Sequence, residues 1–294
     1  MNRVAILGLG LMGGSLGLGL RATGFRGRIA GYARRAETRT RALQLKAVDE
    51  VFEEPVRAVQ DADLAVFCVP ILAIPDLVGE CRGGLKAGCL LTDVGSTKQE
   101  LTERIAGVLK GTNATYVGSH PMAGSEQQGL EGAREDLYEG AAVIVTPEPG
   151  QEAAVEDIKG FWRRLGCCVL VMPPAEHDRL VARTSHLPHL AAALVAAAVG
   201  RDGDPAVIGA LCGPGFRDTT RVADGSPEVW HDILHSNRAP VMAELGAFEE
   251  QLRHLRGLLE RGDFDGLQKY LENCRGRRRA LLKHQGPSDA RGEP

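Results

Sequence analysis

Residues 1–20 read MNRVAILGLGLMGGSLGLGL, and the placement of their glycines decides the fold. Apolar residues at 4–7 form a short β-type run. Gly8, Gly10 and Gly13 follow in the spacing G-x-G-x-x-G, and an apolar helical stretch covers 15–20. In such a strand, turn and helix unit the first glycine permits the tight turn, the second lets bare backbone approach a pyrophosphate, and the third brings helix against strand. The helix N-terminus then faces the phosphates. Gly8, Gly10 and Gly13, with Leu11 and Met12 between them, are therefore the expected cofactor-binding residues. The alternative, a tight turn with no ligand, explains the glycines but not their position at the head of an alternating β/α pattern.

That pattern runs outward from the turn. Short apolar runs at 4–7, 29–32, 64–69, 89–92, 116–119 and 142–145 alternate with helical stretches. The alternation predicts one parallel sheet with crossover helices, its strands apolar throughout because both faces are covered. The turn-forming TPEPG at 146–150 closes this half, and beyond a strand near 169–172 the chain turns helical. The expected fold is α/β: a Rossmann-type dinucleotide-binding domain over 1–172, then an all-helical domain over 173–284, with a disordered polar tail over 285–294. Within the second half, Pro188 should kink a helix spanning 175–199, LCGPGFRD at 211–218 reads as a loop, and apolar spacing from Trp230 to Leu255 reads as one long helix capped by Ser226.

Composition narrows the function. The 294 residues are 44% hydrophobic and 25% charged with a net charge of −3, so no basic footprint for nucleic acid exists. Aromatics make up only 4%, which puts the core on Leu, Val and Ala and disfavours an all-β fold. Seven scattered cysteines without a Cys-x-x-Cys pair argue against disulfides and zinc, and for a reducing, cytoplasmic setting. The longest apolar run, 190–199, falls far short of the ~20 residues of a membrane span, and the start of the chain reads as a strand rather than a leader. The RGRRR stretch at 275–279 reads as a solvated helix end.

The second strand bears on the cofactor. It reads IAGYARRAET at 29–38, with Ala33 where an NAD site carries an acid and with Arg34 and Arg35 next to it. Guanidiniums without a carboxylate favour a 2′-phosphate, hence NADP over NAD. After the fourth predicted strand comes TDVGSTKQE; Ser96, three residues before Gln99, is a capping-box residue for a helix at 97–109 and also stands where a parallel sheet presents ligand contacts. After the fifth, YVGSHPMAGSE puts His120 at a strand end, beside the expected nicotinamide.

Taken together, GLGLMGGSLGLGL (8–20), DVGSTK (93–98), GSHPMAGSE (118–126), TSHLPHLAAAL (184–194) and GFRDTTRVADGSPEVW (215–230) resemble the prephenate/arogenate dehydrogenase family of tyrosine biosynthesis over nearly the whole chain. The resemblance implies a Rossmann domain followed by a helical domain through which two subunits pair, and no appended regulatory domain in a chain of this length. It implies NAD(P)-linked oxidative decarboxylation of prephenate to 4-hydroxyphenylpyruvate, or of arogenate to tyrosine. It assigns His120 as catalytic histidine, Ser96 as the serine orienting it, Arg221 to the substrate's side-chain carboxylate, and His189 and Glu126 to substrate contacts, with Trp230 nearby and His186 structural. The chemistry agrees with these roles: a neutral imidazole suits removal of the C4 hydroxyl proton, and a guanidinium suits a bidentate carboxylate contact. Pro214 departs from the family's glycine-rich loop and removes one backbone N–H there. Two other readings compete: another two-domain NADP-dependent reductase or β-hydroxyacid dehydrogenase, which would place a lysine on the first interdomain helix, and a non-catalytic nucleotide sensor, which would have no need of His120.

Overall fold

The computed structural model describes residues 1–124, 127 and 129–283; Glu126 and the tail from 285 lie outside the described residues. The first half contains β1 (Arg3–Leu7), α1 (Leu11–Ala22), β2 (Arg28–Tyr32), α2 (Ala36–Gln44), β3 (Glu50–Phe52), α3 (Pro55–Ala58), β4 (Leu64–Phe67), α4 (Ile74–Cys81), β5 (Leu90–Asp93), α5 (Gln99–Leu109) and β6 (Thr115–Tyr116). Its six strands form a parallel sheet in the order β3-β2-β1-β4-β5-β6. The chain reverses direction of travel between β1 and β4, and ligand crevices open at such a switch. Side chains alternate across the sheet: Val4, Ile6, Leu64 and Val66 enter one buried cluster, Ala5, Leu7, Ala65 and Phe67 the other. Burial on both faces is why these strands are apolar at every position.

One parallel sheet is not the whole architecture. The predicted strand at 116–119 divides at Val117 into β6 and β7 (Gly118–Pro121), and β7 leaves the main sheet. It pairs antiparallel with β8 (Ala142–Thr146), with His120 opposite Ile144, and β8 pairs parallel with β9 (Cys168–Val171) after α6 (Glu152–Arg164). The six-strand main sheet also includes β3, absent from the sequence expectation because three half-buried residues carry little pattern. Gly118 permits the turn into the second sheet: a Cβ there would sit 2.5 Å from Thr146 Oγ1.

The second half holds α7 (Pro174–Val181), α8 (Leu187–Val199), α9 (Pro205–Leu211), α10 (Pro214–Thr220), α11 (Pro227–Ser236), α12 (Arg238–Glu260) and α13 (Phe264–Leu282), and no strand among the described residues. Between α7 and α8 the chain does not break; a π-helical turn spans Ala182–His186. Pro188, the second residue of α8, has no N–H for the preceding turn and its ring crowds that turn's carbonyl, and the widened turn relieves both. Two further expectations are corrected. The stretch from 214 is helix rather than loop, because Pro214 occupies the first helical position, where its missing N–H has no partner to lose. The expected single helix through Trp230 and Leu255 is interrupted at Asn237, whose buried side chain is drawn to other partners. Ser226 does cap α11, accepting from Val229 N at 3.4 Å. No helix among the described residues is long and apolar enough to cross a membrane.

Candidate active site

The glycine turn joins β1 to α1 at the carboxyl end of the sheet. Gly8 has φ +109°, and a Cβ there would lie 2.6 Å from the Cys68 carbonyl oxygen. A Cβ on Gly13 would lie 1.9 Å from the Gly8 oxygen, so α1 can start only with a bare residue at that position. Gly10 differs: nothing stands within 4 Å of its Cβ position. The surface over Gly10 is thus open at the N-terminus of a helix, a cradle that a dinucleotide's pyrophosphate fits. Leu11 and Met12 are partly buried, and Tyr138 Oη donates to the Met12 oxygen at 2.8 Å, fixing the first turn of α1. At the end of β2, Ala33 is buried while Arg34 and Arg35 are exposed. A third guanidinium shapes this corner: Arg39 Nη1 donates to the carbonyls of Ala33 (3.0 Å) and Arg34 (2.8 Å), and its Nη2 to Glu53 (3.0 Å).

The DVGSTK turn after β5 departs from the capping-box expectation. Helix α5 starts at Gln99, and its first N–H groups are capped from far along the chain: Asp178 Oδ1 accepts from Lys98 N and Asp178 Oδ2 from Gln99 N, both at 2.8 Å. The long-range carboxylate replaces the local hydroxyl because it satisfies two of the helix's open donors at once. Ser96 is left half-buried beside the turn, with no hydrogen-bond partner for its hydroxyl among the described residues. Its neighbour Thr97 shares a 2.8 Å hydrogen bond with Ser236 of α11, which ties the turn to the helical half. Below the turn Lys98 and Asp93 form a fully buried ion pair. Asp93 also accepts from Tyr116 Oη (2.8 Å), Ser119 N (3.1 Å) and Gly95 N (2.8 Å), so that the buried carboxylate is fully hydrogen-bonded.

His120 projects from β7 into this junction. Its Nδ1 lies 2.8 Å from His177 Nε2, and His177 Nδ1 lies 2.8 Å from Asp178 Oδ1. The two imidazoles meet edge-on, centroids 5.0 Å apart. Burial, reinforced by nearby His177, Lys98 and His186, holds His120 well below the usual histidine pKa. The ring is neutral at neutral pH, the state in which an imidazole accepts a proton.

The remaining predicted residues come from the helical half. Asn237 Nδ2 donates to the Asp178 carbonyl (2.9 Å) and approaches His186 Nδ1 (3.2 Å). His186 stands edge-on to Trp230 at 5.9 Å, and His189 stacks flat on the same indole at 3.5 Å. Gly225 makes room for this stack, since a Cβ there would lie 2.5 Å from Trp230 Nε1. His189 donates its Nδ1–H to the Val222 carbonyl at 2.8 Å, which links it to the short 3₁₀ turn Arg221–Asp224. Arg221 itself is exposed at the start of that turn. A continuous series of contacts therefore runs from His120 through His177, Asp178, Asn237, His186, Trp230 and His189 to the residue after Arg221, across both halves of the chain.

Residues 16–171 match the family model of the prephenate dehydrogenase nucleotide-binding domain, and residues 173–273 match that of the prephenate dehydrogenase dimerization domain. The chain belongs to the prephenate dehydrogenase family. Among curated relatives, prephenate dehydrogenase of Bacillus subtilis (strain 168) is 31% identical over 289 residues, 97% of this chain and 78% of the relative. Cyclohexadienyl dehydrogenase of Zymomonas mobilis is 31% identical over 285 residues, covering 95% of this chain and 96% of the relative. Among solved structures, prephenate dehydrogenase from A. aeolicus in complex with hydroxyphenyl propionate and NAD+ aligns with a TM-score of 0.88 and 32% identity, over 96% of this chain and 98% of that one. Synechocystis arogenate dehydrogenase aligns with a TM-score of 0.84 and 28% identity, over 95% and 99%. As a member of the prephenate dehydrogenase family, the chain is an NAD(P)-dependent dehydrogenase with a Rossmann-type domain and a helical one.

In this prephenate dehydrogenase family member, sequence reading missed Arg39, Lys98, His177, Asp178 and Asn237. The dipeptide His177-Asp178, just after Pro173-Pro174, is a visible pairing of a titratable ring with a carboxylate. Nothing local, however, connects it to a histidine 57 residues earlier.

Proposed function

We propose that this chain catalyses the NAD(P)-dependent oxidative decarboxylation of prephenate to 4-hydroxyphenylpyruvate, with NADP preferred, as a homodimer. The single observation that carries the reading is the neutral, buried His120 at the carboxyl end of β7, in direct contact with the helical half. His120 takes the proton of the C4 hydroxyl as hydride departs C4; the ring carboxylate leaves as CO2, its electron pair entering the ring, and aromatisation drives the step. The nicotinamide, when bound, supplies the hydride acceptor. Ser96, its hydroxyl uncommitted to the helix cap, is suited to orient that hydroxyl and the imidazole. Arg221 binds the carboxylate of the side chain, away from the carboxylate that must leave, because clamping the departing group in the ground state would raise the barrier. His189, held by Val222 through Nδ1, turns Nε2 toward substrate. Residues 1–172 then act as the dinucleotide-binding domain and 173–284 as the substrate and dimerisation domain.

For the cofactor, Gly8, Gly10 and Gly13 hold the pyrophosphate, and Leu11 and Met12 lend the first N–H groups of α1. The absence of an acid at Ala33, with Arg34 and Arg35 exposed beside it, supports NADP. Pairing of two copies is supported by α12 and α13, which leave Leu252, Leu259, Phe264 and Leu271 exposed. The test is the rate of absorbance gain at 340 nm with prephenate or arogenate crossed with NAD or NADP. The expected result is the highest kcat/KM for prephenate with NADP. Activity with arogenate alone would overturn the substrate, and no activity in any combination would overturn the enzyme class.

A further inference from the structure

We propose that His177 and Asp178 are positioning residues that hold His120 in one tautomer, proton on Nδ1 and lone pair on Nε2, so that assembly of the two halves sets the base in its working form. The inference rests on His120 being the base.

Asp178 receives N–H groups from Lys98 and Gln99 at the start of α5, at 2.8 Å each. Both oxygens of this carboxylate already accept from backbone N–H groups at the start of an 11-residue helix, and a carboxylate can only accept. The 2.8 Å contact from His177 Nδ1 must then carry a proton on the histidine. A neutral His177 has its other nitrogen bare, so Nε2 accepts, and the 2.8 Å contact to His120 must be donated by His120 Nδ1. The opposite tautomer of His177 would set a bare Nδ1 against the carboxylate oxygen of Asp178, lone pair against lone pair. His120 Nε2, which bonds no described residue, is left as the acceptor. All three side chains are buried, at 8% exposure for His120, 1% for His177 and 2% for Asp178, so water does not compete for these bonds. Asp178 performs two tasks at once, because the helix it caps follows directly from the turn carrying Ser96. Its backbone carbonyl is held in turn by Asn237. The base and the start of the helix that follows the Ser96 turn are therefore tied to one residue of the opposite half.

The test compares His177→Leu, which removes the acceptor but keeps bulk, with His177→Gln, whose amide oxygen reaches the place of Nε2. Steady-state kinetics are read together with 15N shifts of the His120 ring in histidine-labelled protein. The expected wild-type spectrum has His120 protonated at Nδ1 and bare at Nε2. His177→Leu should lower kcat by about 10²-fold, with KM for prephenate and NADP within about twofold, and His177→Gln should restore most of the loss. A His120 ring protonated at Nε2, as an imidazolium at His177 would require, overturns the proposal. So does a His177→Leu enzyme within threefold of wild type, or a His177→Gln enzyme no better than it at an unchanged melting temperature. His120→Asn separates the two levels: if it is inactive while His177→Leu is fully active, the relay fails and the base assignment stands. If His120→Asn is active, the base assignment itself fails, and the ring spectrum still decides the tautomer.

Discussion

His186 shows how a residue's chemistry is set by what surrounds it. At 1% exposure, wedged between Asn237 and the edge of Trp230, its imidazole is pulled down to about 4 by burial, opposed by the nearby Asp178 carboxylate. The folded protein thus keeps His186 neutral where an unfolded chain, near pKa 6.5, takes up a proton. Between about pH 6.5 and 4 the unfolded state binds more protons, so stability falls as pH falls through that window, by up to roughly 3 kcal/mol from this residue. The melting temperature should therefore drop between pH 7 and pH 5, and less steeply in His186→Gln; an identical slope in both would count against the assignment. At this scale much of the candidate site was legible. Gly8, Gly10, Gly13, His120, His189 and Arg221 all carry local signals: a spacing, a strand end, a neighbouring proline. His177 and Asp178 are visible as a pair, but nothing local gives their place in the site, because their contacts are with residues 57 and 80 positions away.

Elements were legible where their period was long enough to read. The strands β1, β2, β4 and β5 follow from apolar runs between glycine turns, and α1 from the motif that opens it. What the runs do not encode is the partner. Both β6 and β7 share the one run at 116–119, yet they join different sheets, because Gly118 lets the chain pass close to Thr146 and pair with β8 in the antiparallel sense. This turn aims His120 at the helical half instead of along the main sheet. Gly118→Ala should place a methyl group against Thr146 Oγ1 and the Lys98 side chain, and cost about 1–3 kcal/mol in denaturant unfolding. A variant as stable as wild type would mean that Thr146 turns aside freely. The π turn before α8 teaches the same lesson in reverse: Pro188 marked a disturbance in advance, but only packing of His186 and His189 around Trp230 determined that the helix widens rather than ends.

For the whole molecule, the decisive surfaces are those between parts. No residue of α13 is buried, and α12 buries only Val241, Glu244 and Leu258, although both helices are long and carry Leu and Phe on their surface. Faces of this kind are stable in water once another apolar surface covers them, and a second copy of the helical half is the occupant proposed above. Leu252→Asp combined with Leu271→Asp should give a monomer by light scattering with a lowered melting temperature; a dimer of unchanged stability would move the interface elsewhere. The same long-range logic builds the site, where Asp178 caps a helix of the nucleotide half and Thr97 bonds Ser236. By itself, then, the order of residues determined the nucleotide turn, the apolar strands and which histidine stands as the candidate base, because glycine conformation, proline geometry and side-chain period act over a few neighbours. Only the tertiary structure decided how that histidine is held, what caps α5 and which strands leave the main sheet, because buried hydrogen bonds go to whichever donor and acceptor packing brings within 3 Å, however far apart they lie in the chain.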